Sequence, residues 1–568
     1  MMKMTRFLAT RTVLLVTVAL SGCAAANPGG ASVTENGTAY GSFLAARFAD
    51  AQQDPAAATH YYGLALQADP GNKALADEGF IAALLAGSPA ADALAPQVSG
   101  NALAVMLLGN QAALQGDYAE AIKQYGLLPH DSLSGLLQPL LIAWSKFGSG
   151  DLSGALGGLL PAVSGSPFGA VYVLNGALIA DQANDMKDAA QLYASADQGD
   201  QAPNLRMAQI MASWKARQGQ PDAARAELEQ MAATHPTLAT ALPNLEADVA
   251  DPVIRNANDG LAEAYLSVAG ALNQPSQTLL QVTFLRFALQ LRPDLAAARL
   301  LLANVQAGGA NTGPGAPAPT DTQMGQALAT LRPIPETDPL YAPAAMQEAT
   351  LMAAMGQTQP AVALLDHLAA REPGNIDALE TAGDVLRNNN QFTAAIAYYD
   401  KAIAALPRPA PGAAWSLYYD RAICNDQNGD WAAAEPDLRT ALALSPNQPF
   451  VLNYLGYTWA LRGENLGAAH AMLQQAVGLD PNEGAIVDSL GFVNLKQGDT
   501  QAAVKLLTQA VEMDPDDAEV NAHLGDAFYA AGLRLQADYQ WQRALALKPD
   551  AKLEAQIQDE LKQFAPPA

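Results

Sequence analysis

Cysteine is almost absent: Cys23 and Cys424 are the two thiols in 568 residues. Two thiols allow one disulfide at most, so a fold stapled by several disulfides is excluded. Histidine is nearly as scarce. His60, His130, His235, His367, His470 and His523 are dispersed, and none stands at a metal-ligand spacing from another histidine or cysteine. No metal and no other cofactor is expected. Basic residues are few, 31 Lys and Arg against 56 Asp and Glu, which argues against nucleic acid and against charge-driven adhesion to anionic headgroups. Catalytic motifs are missing too. Gly165-Ser166-Pro167-Phe168-Gly169 and Gly150-Asp151-Leu152-Ser153-Gly154 fall short of a nucleophile elbow and follow no strand. The glycines at 308, 309, 313 and 315 are broken by prolines and lead to no lysine, so they form no phosphate loop. Aromatic residues make up only 6% of the chain, so a core must pack largely through Ala and Leu.

What is present is a repeat. Between residues 449 and 550, Leu455-Gly456, Leu490-Gly491 and Leu524-Gly525 are each followed by an alanine (Ala476, Ala510, Ala544) and a proline (Pro481, Pro515, Pro549). Each unit reads as a helix, a turn at Gly463, Gly498 or Gly532, a second helix and a stop at proline, which lacks the N–H that a continuing helix needs. Gly456, Gly491 and Gly525 permit close approach of the two helices, while Tyr454, Leu473, Leu490, Leu507, Leu524 and Trp541 fall at helical spacing to fill the space between them. The period of 34 residues resembles the tetratricopeptide repeat. That resemblance implies an all-α fold, an α-solenoid or superhelix, and a binding scaffold that is not an enzyme; roughly 12–14 helix pairs can be read along the chain.

At the amino terminus, Lys3, Arg6 and Arg11 precede the apolar run Thr12 to Leu20, too short to span a bilayer. Leu20-Ser21-Gly22-Cys23 then resembles the lipobox of bacterial lipoproteins, which implies removal of residues 1–22 and lipidation of Cys23. Several acyl chains would anchor the protein firmly. Ala24 after the cysteine is similar to lipoproteins sorted to the outer membrane, implying a periplasmic location. A plain secretory signal cut near Ala24 to Ala26 is the other reading. Removal of the signal leaves 28 basic residues against 56 acidic ones. Residues 23–38 read as a tether.

The rest of the chain divides into degenerate helical repeats at 39–237, central repeats at 238–373, a C-terminal array at 374–550, and a capping helix with tail at 551–568. Ala58, Tyr62, Ala65 and Pro70 repeat the order of the C-terminal units. Pro236, Pro243 and Pro252 mark an irregular connection. The Gly/Pro-rich stretch 307–320 reads as an enlarged turn inside a repeat, between helices at 295–306 and 322–331. Leu553, Ile557 and Leu561 suggest a cap with Lys552, Gln556, Gln558 and Glu560 facing outward. Asp514, Asp516 and Asp517 flank Pro515 at a helix start, where capping explains them better than acid catalysis.

If the first helix of each repeat lines a groove, as in the superfamily, phase places Asp377, Glu380, Asp384, Asn453, Tyr457, Asp488, Phe492, Asp526 and Tyr529 on it. Carboxylates mixed with aromatics suit an extended protein segment bearing Lys or Arg. The phrases Leu452-Asn453-Tyr454-Leu455-Gly456-Tyr457, Asp488-Ser489-Leu490-Gly491-Phe492 and His523-Leu524-Gly525-Asp526, with the lipobox and Asp259-Gly260-Leu261-Ala262-Glu263-Ala264, resemble the large tetratricopeptide lipoproteins of Gram-negative bacteria. One type in that group is an outer-membrane adaptor of a periplasmic carboxyl-terminal processing protease that degrades cell-wall hydrolases. The resemblance implies such a protease and such hydrolases as partners. The alternative is a structural component of an outer-membrane export or assembly machine, serving polysaccharide secretion or pilus assembly.

Overall fold

The computed structural model describes residues 38–129, 133–163, 169–196, 204–272, 274–309, 318–372 and 374–564. Cys23, the signal segment and most of the tether therefore lie outside the described residues, as does 310–317 within the Gly/Pro-rich stretch. Among the described residues there are α-helices and short 3-10 turns and no strand. The chain forms two compact units that divide between Gln357 and Thr358.

The C-terminal unit begins with the helix Thr358–Arg371. Five helix pairs follow: Ile376–Asn388 with Phe392–Ala405, Trp415–Gln427 with Trp431–Leu444, Pro449–Arg462 with Leu466–Leu479, Gly484–Gln497 with Thr500–Met513, and Ala518–Ala530 with Arg534–Ala546. The local causes are those the repeat announces. Asp499 and Asp517 accept hydrogen bonds from backbone N–H groups of the helices they open. Gly463 and Gly498 close helices in the left-handed region, at φ 69° and 86°, where a Cβ would be strained. A Cβ on Gly491 would lie 2.6 Å from Leu507 Cγ, and one on Gly456 2.9 Å from Leu473 Cγ, so these glycines do set the spacing within each pair. Trp431, Leu438, Leu455, Trp459, Leu473 and Val493 form one continuous core. Ala551–Phe564 ends the stack: Ile557 is fully buried, with Leu553 and Leu561 beside it, against Ala537, Trp541 and Ala544. Lys552, Gln556 and Gln558 face solvent as expected. Glu560 does not. It is half-buried and interacts with Asp526.

The N-terminal unit opens with five pairs whose first helices are Ala39–Ala51, Lys73–Ala86, Ala102–Leu114, Leu133–Gly148 and Gly169–Gln182, then Leu205–Arg217 with Pro221–Thr234. Ala58, Tyr62 and Ala65 are buried where the repeat order puts them. The proline-marked connection is a 3-10 turn, Pro236–Ala241, a short helix, Leu242–Ala247, and non-helical chain up to Asn256. Next come Ala257–Ala271 with Thr278–Leu291, then Ala296–Gln306 packed on Asp321–Leu331, the two helices that flank the Gly/Pro-rich stretch, and finally Tyr341–Ala354. Counting both units, thirteen such pairs lie among the described residues, within the range the repeat period predicts.

The Ala257–Ala271 and Thr278–Leu291 hairpin is not simply the next layer of the stack. Its first helix packs on Leu133–Gly148 and Gly169–Gln182, and its second on Lys73–Ala86 and Ala102–Leu114. The hairpin therefore covers the first helices of four successive pairs. Tyr265 and Tyr125 both donate to Asn110 Oδ1, at 3.0 and 2.8 Å, and Asn110 Nδ2 donates to Gln290 Oε1 at 3.3 Å. Gly260 rests on the Trp144 indole so closely that a Cβ would overlap the ring. Leu261, Tyr265, Phe284, Leu285 and Phe287 are at most 1% exposed, and each such side chain is worth roughly 1.5–3 kcal/mol of burial. No helix among the described residues is long and apolar enough to cross a membrane.

Candidate protein-binding site

The nine positions assigned by phase all lie on first helices of the C-terminal unit, but they meet different fates. Asn453, Asp488 and Phe492 are at most 4% exposed, enclosed where one first helix packs on the next. Asp377, Glu380, Asp384, Tyr457 and Asp526 are half-buried, and Tyr529 is 44% exposed.

Four carboxylates gather at the start of the array, two of them paired with one arginine. Asp384 accepts from Tyr399 Oη at 2.7 Å and lies 3.3 Å from Arg387. Arg387 also pairs with Asp420 of the next pair's first helix. Glu380 accepts from Ser416 Oγ at 3.0 Å. Asp377 makes no ion pair. Burial, then the neighbouring charges of Asp384 and Asp377, push the Glu380 carboxyl up to about 7. Burial raises Asp377 as well. Asp420 is pushed up by burial and held back chiefly by Arg387, and with the guanidinium against it we regard that pair as ionised. One arginine thus serves Asp384 and Asp420, while Asp377 and Glu380 have no cation of their own.

A second cluster lies at the other end of the array. His523 Nδ1 is 2.9 Å from Asp488 Oδ2. Burial opposes the charged imidazole, but Asp488 and its hydrogen bond win and raise His523 to about 9. Burial likewise raises Asp488. Tyr457 Oη donates to Glu519 at 2.7 Å across two repeats, and its ring packs 5.3 Å from Phe492 and 6.1 Å from His523. Asp526 accepts from Trp541 Nε1 at 2.9 Å. Half-buried Tyr457 and exposed Tyr529 keep apolar surface to offer.

Sequence phase missed Arg387, Ser416, Asp420, Glu519 and His523. Their signal is the repeat length itself: Glu380 to Ser416 is 36 residues, Arg387 to Asp420 is 33, and Asp488 to His523 is 35. Polar residues one repeat apart on first helices become neighbours. Cys424 is buried, and burial pushes its thiol up to about 12, which makes it inert. No group of three His, Cys, Asp or Glu side chains among the described residues is placed to hold a metal ion. Asp517 caps its helix, accepting from the N–H groups of Glu519 and Val520.

Residues 346–414, 415–484 and 494–557 match family models described as tetratricopeptide repeat. The chain carries tetratricopeptide repeats. A tetratricopeptide-repeat-containing protein of Pseudomonas aeruginosa is 30% identical over 187 residues, 33% of this chain and 31% of that protein, so the match spans under a third of the relative's length. Among solved structures, the Cut9–Hcn1 hetero-tetramer of the APC/C aligns at 16% identity and a TM-score of 0.38, covering 93% of this chain and 97% of that one. Yeast Tom70 aligns at 14% identity and a TM-score of 0.36, covering 82% and 95%. Tetratricopeptide repeats are generally non-catalytic and bind protein partners, so the acidic faces are read as protein-binding surface rather than as acid–base machinery.

Proposed function

We propose that this chain is a lipid-anchored periplasmic scaffold whose C-terminal repeats hold an extended partner segment bearing Lys or Arg. The observation that carries this reading is the imbalance on the first helices: Arg387 serves Asp384 and Asp420, while Glu380 and neighbouring Asp377 have no ion-pair partner among the described residues. A cationic side chain set between Asp377 and Glu380 would supply the missing charge, and half-buried Tyr457 would add contact area further along. Anchoring through Cys23 at the outer membrane rests on Leu20-Ser21-Gly22-Cys23. Two clients held on one array meet at high effective concentration. The scaffold would thereby act as an adaptor, bringing an envelope protease to cell-wall hydrolases.

Affinity purification of the lipidated protein from its own envelope, with mass spectrometry of the eluate, tests this. Recovery of a protease with wall hydrolases, lost in an Asp377→Asn/Glu380→Gln variant, is the expected result. Recovery of an outer-membrane pore without a protease would replace the adaptor by an export or assembly component.

A further inference from the structure

Most of the half-buried arginines in this protein meet carboxylates. Arg206 pairs with Glu263, Arg217 with Asp181 at 2.6 Å, Arg387 with Asp420, and Arg421 with Asp437 at 2.7 Å. In a chain with 56 acidic residues against 31 basic ones that pairing is unsurprising. Arg286 and Arg299 depart from it, and Arg286 goes further. It lies on Thr278–Leu291 of the inserted hairpin, between Leu285 and Phe287, which are at most 1% exposed, and no acceptor among the described residues hydrogen-bonds its guanidinium. Its Nε is enclosed without a partner. The guanidinium leans on the exposed Gly87, close enough that a Cβ there would lie 2.9 Å from Nη1.

The charge that bears on Arg286 is another arginine. Arg299 donates to the carbonyls of Pro293 and Thr330, at 2.9 and 3.2 Å, and to no carboxylate. Burial, then Arg299, pushes Arg286 down to about 10. An unpaired guanidinium with its Nε enclosed is costly, and a fork of N–H donors under the charge of a second arginine matches the oxygens of a carboxylate or phosphate.

We propose that Arg286, with Arg299 as its supporting charge, is a binding site for an oxyanion, a carboxylate or phosphate group that enters at the Gly87 edge of the N-terminal unit. The site is separate from the acidic faces of the C-terminal repeats and takes the opposite charge.

The test is thermal unfolding of the full chain in chloride, acetate and inorganic phosphate at matched ionic strength. In wild type, at an anion concentration well above its Kd, the midpoint of the N-terminal unit should rise by about 2–4 °C. In Arg286→Leu the rise should vanish, and in chloride that variant should unfold no earlier than wild type, because it has lost an unpaired charge. A response to phosphate alone assigns a phosphate ligand. A response to acetate, matched by a peptide with a free terminal carboxylate and not by its amide, assigns a carboxylate. Equilibrium dialysis of wild type against labelled phosphate and labelled acetate needs no variant and serves if Arg286→Leu fails to fold. No binding in dialysis, or equal shifts in wild type and Arg286→Leu, would overturn the proposal.

Discussion

At the scale of single residues, Glu380 carries the clearest consequence of the acidic face. Its carboxyl titrates at about 7 in the folded chain, against 4.5 for an ordinary glutamate. The folded form binds the proton more tightly, so Glu380's contribution to stability is full below about pH 4.5 and is lost as pH rises through about 7. Glu380→Gln should remove that decline, gaining on wild type by up to about 3 kcal/mol at pH 8 and nothing at pH 4; urea unfolding at several pH values reads it. Affinity for a Lys/Arg peptide should run the other way in wild type, falling as pH drops below 7, and should be flat in the variant. Glycines give a contrast decided by space. Gly260→Ala drives a methyl into the buried Trp144 ring, and an overpacking cost of about 1–3 kcal/mol exceeds the gain of up to about 1 kcal/mol in helix propensity. Gly325 has nothing within 4 Å of where a Cβ would stand, so Gly325→Ala should stabilise by about 0.5–1 kcal/mol. Unfolding midpoints of the two variants should move in opposite directions. Roles of small residues such as Gly456 and Gly491 were legible, because they act within one repeat. The pairing of Asp384, Asp488 and Asp526 was not. Phase says which face a carboxylate is on, while its partners, Tyr399, His523 and Trp541, come from another helix or another repeat.

Among elements, the terminal helix Ala551–Phe564 is the one whose loss should be felt locally. Its buried Ile557 closes the apolar face formed by Ala537, Trp541 and Ala544. Ile557→Ala should cost about 2–5 kcal/mol. In a stack where each pair contacts chiefly its neighbours, the effect should fade with distance. Hydrogen exchange should accelerate strongly across 518–546, weakly across 484–513, and not at all across 376–405; uniform acceleration would contradict the stacked organisation. Helix bounds were readable to within a residue or two, as at Ala296–Gln306 and Asp321–Leu331. The docking of the 257–291 hairpin was not, because periodicity reports that two helices pair and is silent about what they pair against. A signal was present even so. Asp259 through Leu266 are buried without interruption, and the apolar and small residues Leu261, Ala262, Ala264, Tyr265 and Leu266 fall on more than one face of the helix, the pattern of a helix enclosed on several sides.

At the scale of the whole chain, the two units divide the proposed work by what covers their first helices. In the N-terminal unit, four successive first helices are already occupied by the chain's own hairpin, through fully buried side chains that no incoming peptide would displace at ordinary affinity. In the C-terminal unit the half-buried carboxylates and Tyr529 still face outward. A basic peptide should therefore protect amides in 376–388 and 415–427 from exchange and leave 73–86, 102–114, 133–148 and 169–182 unchanged. The chain, with 31 basic residues against 56 acidic ones, should also attract such a peptide over long range, so the association rate should fall steeply between low and physiological salt while dissociation changes little. If protection appeared instead in 73–182, the hairpin would have to leave its place. Residues 257–291 would then lose protection in the same experiment, so a displaced plug and an open C-terminal face are told apart by a single exchange map.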